Sequence, residues 1–301
     1  MKEVAASGST EVQRLKLVVN DYVQLTKPGI LTLLLITTIG SMLIAGAGVP
    51  SFGLVFVTVL GGLFTAGGAN VLNCYIDRDI DAKMNRTKKR ATAAGRMQPR
   101  TALIYGLALT ISGVLLLGIF ANWLAAGLAL AGNIYYVVIY TMWLKRATPH
   151  NIVIGGAAGA VPPLVGWAAV TGTLAPPAWI LFAIIFYWTP PHSWALALLK
   201  QGEYGRVNVP MLPVVSGDEE TRKQIFLYTV LLSAVTLLLV PFGMSWIYFI
   251  GALGLSGYFL YLTWRLLMDP SKALARKTFF YSIWFVAGIF AVMVSDRLIL
   301  G

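Results

Sequence analysis

The chain has 301 residues, 57% of them hydrophobic and only 12% charged, with a formal net charge of +11. Ordinary soluble domains carry about 25% charged residues, so a globular protein with a wetted surface is excluded. A bilayer core about 30 Å thick asks for about 20 apolar residues per crossing helix. The long apolar runs here are continuous rather than alternating, so the lipid-satisfied structure is a helix and not a barrel strand.

The first element is 10–28, TEVQRLKLVVNDYVQLTKP. Val12, Leu15, Val18, Val19 and Val23 fall on one helical face, which predicts an interfacial helix on the cytoplasmic side before Pro28 opens the first span. Nine transmembrane helices are then expected, over 30–49, 52–74, 102–120, 122–142, 152–170, 178–199, 225–243, 245–264 and 279–295. The joins at Ala121–Asn122 and Met244–Ser245 are tight and predict hairpins. The expected fold class is an all-α polytopic membrane bundle forming one domain over 1–301.

Charge placement supports this count. With the N-terminus in the cytoplasm, the inner segments 1–29, 75–101, 143–151, 200–224 and 265–278 hold every Lys and Arg except Arg297, as the positive-inside rule requires. The C-terminus is then expected outside. The basic balance is explained by topology, and no nucleic-acid partner is expected. One cysteine, Cys74, excludes an intrachain disulfide framework. The first thirty residues lack a cleavable-signal pattern, and Glu3, Glu11 and Asp21 argue against a mitochondrial transit peptide. A bacterial plasma (inner) membrane is the expected address.

The chemistry concentrates in 70–90, NVLNCYIDRDIDAKMNRTKKR. Asn73, Asp77 and Asp81 are spaced i, i+4, i+8 and share one helical face, with Asp79 nearly opposite. Two carboxylates on one face repel unless a cation lies between them. Mg²⁺ takes oxygen ligands, usually one or two carboxylates plus substrate phosphates. Lys83, Arg86, Lys88, Lys89 and Arg90 follow at once. Carboxylates for a metal followed by cations for an anion predict a metal-bridged diphosphate. Ionisable groups at the edge of a span are costly and mark function.

The pattern N-x-x-x-D-x-x-x-D at Asn73, Asp77 and Asp81, with M-x-R-T at Met84–Thr87, resembles the first acidic motif of the UbiA prenyltransferase superfamily. Two further segments, 140–172 (YTMWLKRATPHNIVIGGAAGAVPPLVGWAAVTG) and 187–215 (YWTPPHSWALALLKQGEYGRVNVPMLPVV), look like the branch that farnesylates haem. The resemblance covers about residues 20–300. It implies nine helices, farnesyl diphosphate as donor, haem B (protohaem IX) as acceptor, haem O as product and Mg²⁺ as cofactor. It also implies haem A synthase or terminal-oxidase assembly as partners. Asp77 and Asp81 would hold the metal, with Asn73 assisting. Arg86, Lys88, Lys89 and Arg90, with Lys145 and Arg146, would face the diphosphate. Tyr140, Trp188 and Glu203 are further substrate-binding candidates.

The chain departs from the wider superfamily where many members carry a second acidic pair. Trp188-x-x-Pro191-His192 stands there instead, and Glu203 is the nearest acid downstream. His192 is the catalytic candidate of this region, either ligating the haem iron or accepting a proton. His150 reads as a loop histidine. Gly155, Gly156, Gly159 and Gly166 read as close-packing positions, and Tyr135, Tyr136, Tyr140, Trp143, Tyr187 and Trp188 as prenyl-pocket candidates. A different acceptor, or a transporter with broken helices at the midplane, are the competing readings. The charged constellation at one mouth favours an enzyme.

Overall fold

The computed structural model describes residues 2–46 and 48–300, the side chains of residues 2–10 and Val12 excepted. The Val12 position of the expected apolar face and the terminal Gly301 lie outside the described residues. The chain is helical with no strand among the described residues. Helix α1 (Lys2–Leu25) precedes α2 (Pro28–Ala45), α3 (Phe52–Ile76), the short α4 (Arg78–Lys83), α5 (Pro99–Phe120) and α6 (Trp123–Ala147). Then come α7 (Asn151–Thr171), α8 (Pro176–Arg206), the short α9 (Leu212–Val215), α10 (Gly217–Phe242), α11 (Trp246–Met268) and α12 (Lys272–Leu300).

Eight of these helices are long and apolar enough to cross a membrane. They match eight of the nine expected spans, usually running a turn beyond the apolar window at one end. The ninth expected span lies in α8, whose 31 residues reach about 46 Å at 1.5 Å per residue. Its Tyr187–His192 stretch is built of Trp, Thr, Pro and His as well as Tyr, and this lowers its hydropathy.

Boundaries follow from elementary chemistry. Pro28, Pro99 and Pro176 stand in the first turns of α2, α5 and α8, where the missing N–H is not needed. The two tight hairpins are made by capping: Asn122 accepts from Ala125 N, and Ser245 from Ile247 N. Asp296 of α12 adds to the second, accepting from Ser245 N at 3.0 Å and Tyr248 N at 3.1 Å. A buried carboxylate at the positive end of α11 is thereby compensated. Beside it Arg297, the one basic residue on that side of the bundle, donates to the Gly46 carbonyl at 3.2 Å.

Lipid-facing positions stay apolar, as with Ile104, Ile111, Leu115 and Ile119 along α5. Inside, α3 and α5 approach so closely that a Cβ at Gly68 would meet the Gly106 carbonyl oxygen at 2.7 Å. Small residues permit such contact where lipid supplies no hydrophobic drive between helices. Asn133 of α6 bonds Thr65 O at 2.8 Å and Thr110 Oγ1 at 2.9 Å, fastening a third helix to that seam. Gly166 does the same service between α7 and α2, where the Thr38 carbonyl lies against it. At Gly159, by contrast, space is open.

Two features place the site. The segment between α4 and α5 is not a free loop: Ala91 and Met97 are buried with Leu25, Val71, Cys74 and Ala102. Arg96 forks onto Asp21 of α1, at 2.8 and 2.6 Å, and this pair holds the Asp21 carboxyl below its ordinary range. The second feature is in α6, where Tyr135–Leu144 winds as a π-helix of 10 residues. Wide turns of this kind recur at functional sites.

Candidate functional site

The acidic face forms as expected. Asn73 and Asp81 are 3% exposed and Asp77 is fully buried, whereas the Asp79 side chain is 58% exposed. The helix breaks at Asp77, the last cap of α3, yet Asp81 N still bonds Asp77 O at 2.8 Å. The i, i+4, i+8 geometry therefore survives the break. Asn73 donates from Nδ2 to Asp77 Oδ2 at 2.8 Å and to Thr141 Oγ1 at 3.1 Å.

Cations from three other segments reach these groups. Lys145, at the end of α6, donates to Asp77 Oδ2. Arg90 bonds Asp81 Oδ2 at 2.7 Å from the docked segment. Lys27, in the turn between α1 and α2, donates to Asn73 Oδ1 at 2.6 Å. Desolvation lowers the Lys27 pKa from its ordinary value. Sequence reasoning missed Lys27: nothing in the TKP tripeptide marks a lysine that must cross to the end of α3. Arg146 forks onto Asp79 at 2.8 and 2.9 Å and stands 3.6 Å from Asp77 Oδ1.

The remaining basic candidates divide. Arg86 faces the Tyr204 hydroxyl at the end of α8, near Tyr140 and Glu203. Lys88 and Lys89 are exposed and are not brought to the carboxylates. Lys88 Nζ bonds Asn85 Oδ1 at 3.2 Å, and Lys89 gives its carbonyl to Arg96. A run of consecutive charges cannot all face one point, and the docked backbone turns Arg90 inward instead. Glu203 pairs with Lys200 at 3.2 Å, and its Oε2 is buried without a hydrogen-bond partner among the described residues.

Among the described residues no cluster of three or more His, Cys, Asp or Glu gathers. Mg²⁺ does not need one, since it retains waters and takes one or two carboxylates with substrate phosphates. Asp77 Oδ1 is buried and accepts no hydrogen bond, an acceptor suited to a hard cation. The residues fit such an ion.

On α6, Tyr136 and Tyr140 stack at 5.4 Å, and Tyr140 rests on Gly155 of α7. Trp143 is 62% exposed and faces outward, so it does not line this site. On α8, Trp188 stacks on His192 at 4.4 Å, and Phe279 of α12 covers the other ring face at 4.8 Å. His150 is exposed in the turn before α7.

Residues 34–286 match the model of the UbiA prenyltransferase family. The chain is 53% identical to a protoheme IX farnesyltransferase of Gloeobacter violaceus, covering 100% of this chain and 99% of that one. It is 50% identical to a protein of the same name from Chloroflexus aurantiacus, over 99% of this chain and 51% of that one. The chain thus spans about half the length of some curated relatives it matches. Among solved structures, a digeranylgeranylglyceryl phosphate synthase superposes with a TM-score of 0.78 at 20% identity, covering 94% of this chain and 99% of that one. A UbiA homolog from Archaeoglobus fulgidus bound to GPP and Mg²⁺ gives 0.68 at 18% identity, covering 91% and 99%.

Proposed function

Because the chain belongs to the UbiA prenyltransferase family, we propose that it transfers the farnesyl group of farnesyl diphosphate to a vinyl group of haem B, making haem O and releasing diphosphate. The observation that carries the donor half is the buried carboxylate Asp77, with one oxygen free of hydrogen bonds and cations on three sides. The acceptor half is supported by relatives about half identical to this chain that bear the name protoheme IX farnesyltransferase.

Asp77 and Asp81 hold Mg²⁺ in this reading, with Asn73 orienting Asp77. The metal supplies positive charge to the diphosphate when bound. Lys145, Arg90, Lys27 and Arg146 offset the charge that develops as the allylic C–O bond breaks. Arg86, Tyr204 and Glu203 border the same mouth. Tyr136 and Tyr140 turn aromatic faces to the allylic cation. The haem vinyl carbon attacks that cation, and water quenches the new cation on the haem side. His192, beside Trp188, serves the haem. The site faces the cytoplasm of a bacterial inner membrane, where a soluble diphosphate leaves easily, and haem A synthase or an oxidase-assembly factor receives the product.

Incubating purified protein with haem B, Mg²⁺ and labelled farnesyl diphosphate tests this. Mass spectrometry should find a hydroxyethylfarnesyl haem. Label on a quinone precursor or a chlorophyllide, and none on haem, would reject the acceptor.

A further inference from the structure

The haem-side histidine is held by a residue outside every motif of the sequence. His192 Nδ1 lies 2.7 Å from Ser282 Oγ, and that hydroxyl donates to the Phe279 carbonyl oxygen at 2.6 Å. A serine has one hydroxyl proton to give. With it committed to Phe279, the Ser282 oxygen is an acceptor toward His192, so Nδ1 carries the hydrogen. A neutral imidazole then has its lone pair on Nε2, and no protein group among the described residues bonds that atom.

Ser282 also fixes the ring by a second route. Its backbone carbonyl accepts from Trp188 Nε1 at 2.7 Å, and Trp188 is one of the two rings enclosing the imidazole. Phe279, which takes the Ser282 proton through its carbonyl, supplies the other ring. Plane, rotation and tautomer of one imidazole are thus set by two residues of α12, one turn apart.

We infer that Ser282 is a positioning residue that locks His192 as the Nδ1–H tautomer and so presents the Nε2 lone pair to the iron of the acceptor haem. The inference rests on the reading of haem as acceptor. Iron is favoured over a proton by the partner chosen. A ligating histidine typically donates its other N–H to an oxygen acceptor, which orients it. A proton acceptor ends as imidazolium and is served by a carboxylate behind it, and only a neutral hydroxyl stands behind His192.

The chain has two histidines, His150 and His192, so ¹⁵N-imidazole labelling of a His150→Ala protein leaves one ring to observe. Parent, Ser282→Ala and Ser282→Thr versions in lipid nanodiscs are compared by ¹⁵N NMR without haem, by absorption and EPR with ferric haem, and by turnover. The parent should show hydrogen on Nδ1 and a bare Nε2 that shifts on adding haem. Ser282→Ala should mix the tautomers, alter the haem bands and weaken haem binding about 10–100-fold, with farnesyl diphosphate binding unchanged. Ser282→Thr should restore all three. Hydrogen on Nε2 in the parent, or a Ser282→Ala protein with parental tautomer, haem bands and turnover, overturns the Ser282 role while leaving the haem reading intact. A parent with the Nδ1–H ring that binds no haem overturns the haem reading and the iron assignment with it.

Discussion

Lys27 reaches across 46 residues of chain to donate to Asn73 Oδ1 at 2.6 Å, and it does so from a left-handed backbone conformation (φ 56°). That conformation costs a non-glycine residue about 1–2 kcal/mol. Lys27→Gly should therefore leave the melting temperature unchanged or raise it, while turnover falls about tenfold or more through loss of a cation beside the diphosphate. A glycine variant with full turnover would reduce the lysine to a structural tie.

Asp77→Asn and Asp81→Asn should each lower turnover about 10²-fold, the scale of one lost electrostatic contact in the transition state. A chelator should abolish activity and Mg²⁺ should restore it. Binding of farnesyl diphosphate, followed by calorimetry with and without Mg²⁺, should lose its metal dependence in Asp77→Asn. Retained dependence would move the metal elsewhere.

Asp79 separates structure from catalysis. The paired Arg146 hydrogen bonds hold its carboxyl at about 2, below the usual 3.8. A depressed carboxyl contributes stability that is present above its unfolded value and disappears as pH falls through the folded one. Its exposed side chain limits the gain to about 1 kcal/mol or less. Melting temperatures of wild type and Asp79→Asn should differ slightly at pH 7 and draw together as pH falls from 4 toward 2. Turnover of Asp79→Asn should stay within a few-fold of wild type. Damage equal to that of Asp77→Asn would refute the one-face arrangement.

His192→Ala should abolish haem farnesylation and disturb the spectrum of bound haem, and farnesyl diphosphate affinity should survive. His150→Ala should leave both affinities near wild type. Equal effects of the two substitutions on haem binding would return other acceptors to consideration.

Topology is open to a labelling test. A reporter within 83–96 should read cytoplasmic and one at Gly301 external. The same side for both would leave an even number of crossings.

The acidic half of the site was legible because its three residues are local: i, i+4 and i+8 specify a face before any tertiary contact is known. Its cationic half was only partly so. Lys145 and Arg90 stood among the candidates, but Lys88 and Lys89 had the same credentials and point to solvent. The difference is made by Ala91 and Met97 docking under α1, a long-range contact that charge counting does not see. Lys27 was invisible for the same reason. The α8 span was found from its lack of charge, although its aromatic and proline content weakens a purely hydropathic signal. Ser282 lies in a plain apolar run and becomes meaningful only when α12 is laid beside α8.

A π-helical stretch is an α-helix that has absorbed a surplus residue, and Tyr135–Leu144 keeps its surplus next to Lys145. Deleting one lipid-facing residue there, such as the exposed Met142, would let ordinary winding return. Everything beyond the deletion would then swing by about 100° around the axis, carrying the Lys145 ammonium off Asp77 and the Arg146 fork off Asp79. The irregular winding acts as a phase setting between the lipid-anchored half of α6 and its charged tip. A shortened α6 should remain a good membrane helix and make a poor diphosphate site.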